Sequence, residues 1–102
     1  MSKRTSKDVS GKLRLDLVPP FPIEAMALVR EFGAKKYGNE EKWLTEVDPK
    51  LFIEAARRHL LQDLKGIEYD QESFYPHLWH AITSLAMAIE IIEREKDSLG
   101  VI

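Results

Sequence analysis

The period of the apolar positions changes along the chain. Leu13, Leu15 and Leu17 alternate with Arg14 and Asp16, a spacing of two that predicts an extended piece. Pro19, Pro20 and Pro22 then forbid a helix before about Ile23. From there Ile23, Met26, Val29 and Phe32 recur at helical spacing, which predicts a first helix from Pro22 or Ile23 to Phe32 with Gly33 as its stop. Gly33 to Val47 reads as a loop holding Tyr37 and Trp43, and a connection of that length between helices tends to be functional. Asp48-Pro49 marks the next start, with aspartate as cap and proline in the first turn, and Gly66 ends that helix after about Lys65. Phe52, Ala56, His59, Leu60 and Asp63 lie along its neighbouring sides. Ile67 to Tyr75 is a loop with Ser73 as a candidate cap, and a third helix runs from near Pro76 to about Lys96.

On a helical wheel the third helix has two apolar sides. Leu78, Ile82, Leu85, Ile89 and Ile92 form one stripe. His77, Ala81, Ser84 and Ala88 form a second strip, flanked by His80, Met87 and Ile91. The side with Trp79, Thr83, Glu90, Glu93 and Arg94 reads as the wet one. Such a helix either stands at the centre of its own bundle or joins an oligomer, and the small-residue strip is where two backbones approach most easily. The expected fold class is all-α: a small bundle of about three helices with an extended N-terminal arm, completed by oligomerisation.

Composition narrows the classes. A chain of 102 residues holds one domain, read here as a flexible basic arm over residues 1–11 and a single helical domain over 12–102. No cysteine is present, which excludes disulfides and thiolate metal sites. The first residues lack the apolar core of a signal peptide, and the apolar run Leu85–Ile92 is broken by Glu90 and too short to span a bilayer. The expected setting is the cytoplasm, with no membrane partner. A net charge of −2 gives no general attraction to nucleic acid.

All three histidines fall between residues 59 and 80. His59 stands on the second helix with Asp63 one turn on; Glu68, Asp70 and Glu72 follow in the loop; His77 and His80 open the third helix. If the two helices pack antiparallel, the window closes on itself, and imidazoles and carboxylates from facing helices are the usual makings of a metal site in a bundle. Mixed ligation by His59, Asp70, His77 and His80 suits Mn, Fe or Zn; a carboxylate subset suits Mg. A nucleophilic triad and a Walker-type phosphate loop are both missing.

Several stretches together resemble a known family. They are Arg14-Leu15-Asp16-Leu17-Val18-Pro19-Pro20, Gly33-Ala34-Lys35-Lys36-Tyr37-Gly38, Trp43, Arg58-His59-Leu60, Asp70, Glu72-Ser73 and His77-Leu78-Trp79-His80. They are similar to the motifs of the small, mostly phage-encoded N-terminal domains of dATP/dGTP diphosphohydrolases, over about residues 12–95. The resemblance implies hydrolysis of a deoxynucleoside triphosphate to monophosphate and pyrophosphate with a divalent metal. It assigns Glu68, Asp70 and Glu72 to catalysis and His59, Asp70, His77 and His80 to the metal. Arg14, Lys35, Lys36 and Arg58 become phosphate contacts, and Tyr37 or Trp43 a platform for the base. The chain departs from the pattern in four places: Ile67 follows Gly66 where the family has Glu, with Glu68 one place late; Phe74 stands where Gly follows Ser; Ser84 replaces an Asn; and the loop before Trp43 is one residue longer. Two functions therefore stand side by side: a metal-dependent nucleotide pyrophosphohydrolase, and a non-catalytic protein that sequesters a nucleotide or touches a host protein.

Overall fold

A computed structural model describes residues 11–38 and 41–98; the basic arm expected over residues 1–11 lies, apart from Gly11, outside the described residues. A 3-10 turn, Leu15–Leu17, leads into helix α1, Phe21–Tyr37; a short helix α2, Trp43–Glu46, precedes α3, Pro49–Leu64, and α4, His77–Ser98. Among the described residues the only β pairing is one isolated antiparallel bridge, Tyr69 with Pro76. The all-α class stands, and no helix of the described residues is long and apolar enough to cross a membrane.

Local chemistry accounts for the helix ends. Asp48 caps α3, accepting from the Lys50 amide at 2.9 Å, with Pro49 in the first turn. At the other end Gly66 takes a left-handed conformation, its amide bonding the Asp63 carbonyl and that of Ile67 the Gln62 carbonyl. Three expectations change. The stretch Gly33–Val47, expected as a loop, carries the short helix α2. The Leu13–Leu17 alternation is not extended, because Arg14 grips Asp16 at 2.7 and 2.9 Å while the Leu17 and Val18 amides close 3-10 hydrogen bonds. Helix α1 does not stop at Gly33. A mid-helix glycine costs only about 1 kcal/mol, good formers follow it, and Lys35 and Lys36 suit the last turn. The stop is Gly38, left-handed at φ 76° and bonded to the Ala34 carbonyl.

Helices α3 and α4 pack side by side as an antiparallel hairpin, and α1 lies against α4. Among the described residues the buried ones are Ala25, Val29, Ala56, Ala81, Ala88 and Ile91, with His77 and Thr83 as the polar members. Phe21 meets Trp79 edge-on, and Tyr75 stacks on the same indole, which ties the start of α1 to the start of α4. The wheel of α4 is thus resolved differently from the expectation. The strip with His77, Ala81 and Ala88 is buried by the protomer's own helices, so it is not left for a second subunit. Thr83 is buried rather than wet, its hydroxyl returned to the Trp79 carbonyl at 2.7 Å. The Leu78–Ile89 stripe is the face left in water.

Between the hairpin helices the chain turns back through the Tyr69–Pro76 bridge, with Asp70 N–H on the Tyr75 carbonyl and Phe74 N–H on the Asp70 carbonyl, each 2.9 Å. Phe74 adopts φ 64°, the one left-handed residue besides glycine among those described. That explains why glycine suits this position and phenylalanine is costly there. Phe74→Gly is expected to stabilise the chain by about 0.5–1 kcal/mol, raising the urea midpoint at unchanged slope. A lower midpoint would mean that the exposed ring makes a contact the fold needs.

Candidate functional site

The hairpin carries out the closure that the histidine spacing allows. Helix α3 presents His59, the first turn of α4 presents His77 and His80, and the bridged loop places Asp70 between them. His59 Nδ1 and His77 Nδ1 are 2.8 Å apart, so one ring donates and the other accepts. One ligand atom from each of His59, Asp70 and His77 lies within 4.8 Å of the other two. Two imidazoles and a carboxylate on converging elements fit a divalent ion of the Mn, Fe or Zn kind, which would take the place of the shared proton.

His80 holds the group from the side. Its ring stacks on His59 at 4.6 Å between centroids, and its Nε2 lies 2.6 Å from Ser73 Oγ and 3.7 Å from Asp70 Oδ2. Ser73 Oγ donates to Asp70 Oδ2 at 2.9 Å, so His80 Nε2–H is the donor to Ser73, which also accepts from the Tyr75 amide. The Ser73 amide gives Asp70 Oδ2 a second hydrogen bond, at 2.8 Å. Ser73 is therefore the hub that fixes the carboxylate and the ring together, and its part is larger than the cap expected for it. Second-sphere groups of this kind set the orientation of ligands.

Burial, then the neighbouring His80 and His77, hold the His59 ring down to about 4. Burial also lowers His80, against the pull of Asp70. Burial alone raises the Asp70 carboxyl, but the two Ser73 hydrogen bonds, with His80 and His59, outweigh it and leave the group below its ordinary value. The site thus keeps the His59 and His80 rings neutral beside an ionised Asp70 carboxylate, states that suit a cation. In the unfolded chain His59 takes a proton near pH 6.5, and in the folded one only near 4. Between those values the unfolded state binds more protons, so stability is full above pH 6.5 and falls as the pH drops toward 4. Solvent reaches the half-exposed ring, and the discounted loss is about 1 kcal/mol at pH 5 relative to pH 7. Asp70 adds to the acid loss only further down, as the pH falls through its lowered value. Thermal melts at the two pH values should differ by several degrees; equal melting temperatures would mean that folding does not hold these rings neutral.

The triad's edge opens into a cavity of about 500 Å³ between α1 and the hairpin, with His59, Asp70, Glu72 and His80 at its wall. Arg30, Lys36 and Lys42 supply cations, and Tyr37, Trp43 and Phe52 supply aromatic surface. Lys36 Nζ meets Glu72 Oε1 at 2.6 Å, bridging α1 to the loop, and the Arg30 guanidinium lies over the Trp43 ring at 5.4 Å. Phe52 meets Trp43 edge-on at 5.9 Å.

The expected site residues are thus sorted. His59, His77, His80, Asp70, Glu72, Lys36, Tyr37 and Trp43 come to one place. Arg14 is exposed and engaged with Asp16, and Lys35 and Arg58 are exposed outside the cavity wall. Glu68 is exposed and hydrogen-bonds Tyr69; it borders a separate depression with Asp63, Gly66 and Trp79. Arg30, Lys42 and Phe52 were not expected. Arg30 shares a helical face with Gly33, Lys36 and Tyr37 at spacings of three and four, a pattern visible only when α1 continues past Gly33.

Residues 2–99 match the family described as dATP/dGTP diphosphohydrolase, N-terminal. No curated protein and no solved structure matches the chain.

Proposed function

We propose, from the premise that the chain belongs to the dATP/dGTP diphosphohydrolase N-terminal family, that it is a metal-dependent deoxynucleoside triphosphate pyrophosphohydrolase working in the cytoplasm. The observation that carries this reading is the His59, Asp70 and His77 group set against a cavity lined with cations and aromatic rings. Lys36, with Arg30 and Lys42 beside it, meets the polyphosphate, and Trp43 or Tyr37 stacks on the base. His59, Asp70 and His77 would hold the divalent ion, Mn, Zn or Fe by their donor set, with Mg left to the carboxylates; when bound it would supply charge neutralisation and a more acidic water. Lys36 exchanges Glu72 for phosphate when substrate arrives, and the freed Glu72 carboxylate accepts the water's proton. His80 and Ser73 keep His59 and Asp70 in register while this happens.

One observation favours a second reading. Ile67 offers no carboxylate, and Glu68, the nearest acid, is engaged with Tyr69 outside the cavity. On that reading the protein, of phage type, binds a nucleotide without cleaving it. The deciding experiment incubates the chain with the four deoxynucleoside triphosphates, with and without Mn²⁺ or Mg²⁺, following binding by calorimetry and products by anion-exchange chromatography. Monophosphate and pyrophosphate in equal amounts, lost in Glu72→Gln and kept in Glu68→Gln, support hydrolysis. Binding without products supports sequestration, and no binding at all would sink both readings.

A further inference from the structure

The fold leaves a set of leucines and isoleucines in water. On α4, Leu78, Ile82, Leu85 and Ile89 are between 38% and 60% exposed, and on α3 Leu60 and Leu64 are 45% and 82% exposed. Among the described residues the buried apolar core, by contrast, is four alanines, a valine and an isoleucine. Domains near 100 residues normally need most of their leucine and isoleucine inside to outweigh chain entropy. The described residues of a single copy do not place them there.

Helical geometry shows that these residues make one face. At about 100° per residue the four α4 side chains fall within a 60° sector. That sector lies roughly opposite Thr83 and Met87, which face α1 and the cavity. On α3, Leu60 and Leu64 with the half-buried Ile53 fall within 40° of one another, to one side of the Ala56 and His59 contact. Because α3 and α4 run antiparallel, the two stripes turn to the same side of the hairpin, away from α1. The remaining edge is charged, with the Glu54–Arg57 and Glu93–Lys96 pairs. An apolar centre with a polar border is the anatomy of an interface.

We propose that this face is the dimer surface of the protein, and that two α3–α4 hairpins pack through it into a four-helix bundle with the nucleotide cavities on its outer sides. The size of the patch selects a second copy as the occupant. Its exposed apolar area is roughly 500 Å², near the upper end for a soluble monomer. With its charged border it approaches the roughly 800 Å² that each partner gives to a stable dimer. The need is also built into the fold, because the described residues leave this face unburied, and a copy of the chain is a partner always present with it. A two-fold arrangement matches the stripe to itself, leucine and isoleucine against the same residues, without unpaired charge. The face is separate from the cavity, so the dimer forms with or without nucleotide and independently of any turnover.

Sedimentation equilibrium of the full chain tests this. The expected mass is twice 11.8 kDa across micromolar concentrations, shifting to the single-chain mass in Leu85→Glu/Ile89→Glu. To keep the test independent of whether that variant folds, a second measurement uses the absence of cysteine in the chain. Ile82→Cys or Leu85→Cys, near the middle of the stripe, should give disulfide-linked dimers on mild oxidation, at least tenfold faster than Glu31→Cys on the outside of α1. Wild-type protein at the single-chain mass throughout would overturn the proposal, and so would cross-linking at stripe positions no faster than at Glu31.

Discussion

Replacing His77 with alanine is expected to remove divalent-metal binding, lowering affinity for Mn²⁺ or Zn²⁺ by at least about 100-fold. His77 is 7% exposed, and its Nδ1 lies 2.8 Å from that of His59, so the substitution removes one donor and strips the other of its partner. A buried cavity and an unpaired ring follow, costing about 2–3 kcal/mol of stability even without metal. Two measurements separate the effects. Calorimetric titration reports the lost affinity, and melts with and without metal report whether the ion still raises the melting temperature. Arg58→Ala, at an exposed neighbour of His59 outside the cavity, should keep both. Undiminished metal affinity in His77→Ala would remove this histidine from the ligand set and leave His59 and Asp70 without their third donor.

Ala88→Glu is expected to unfold the chain. Ala88 is 2% exposed on the inner side of α4, in the same helical strip as Ala81 and His77. A carboxylate there loses its water, finds no cation in the packed small-residue contact, and forces the helices apart. An unpaired buried charge costs about 3–5 kcal/mol, of the order of the whole stability of a small domain. Circular dichroism should show loss of helix at 25 °C, and a folded variant with native ellipticity and melting temperature would contradict the packing. Ala88→Ser, with no charge and little added volume, should remain folded. The comparison distinguishes this site from the outer stripe, where a glutamate is expected to change mass before it changes fold.

Much of the helical layout was legible because its causes are local. Asp48-Pro49 and Gly66 bound α3 through a side-chain cap and a left-handed stop, both written in adjacent residues. The gathering of His59, Asp70, His77 and His80 was legible for a similar reason, since a short connection between two long helices leaves their facing ends little freedom. What local pattern misjudged was Gly33, because a glycine both ends helices and survives inside them, and the difference here lies in what α1 packs against. The misreading hid Arg30 from the cavity face. Glu68 and Asp70, two residues apart with equal chemistry, were separated only by the Tyr69–Pro76 bridge, which turns one toward Ser73 and the other toward Tyr69.

The sequence by itself determined the three long helices, that α4 has two apolar sides, and which side chains can hold a cation. Those properties depend on residue type and spacing, which neighbours a few places away decide. Only the tertiary structure decided which apolar side of α4 the chain covers. The wheel favoured the small-residue strip as the outer contact, since small residues admit a second backbone. The protomer's own α3 takes that close approach instead, because a helix tethered by a short loop reaches it at far higher effective concentration than any second chain. The leucines and isoleucines are left outside as a consequence of that competition, which spacing along one helix cannot express.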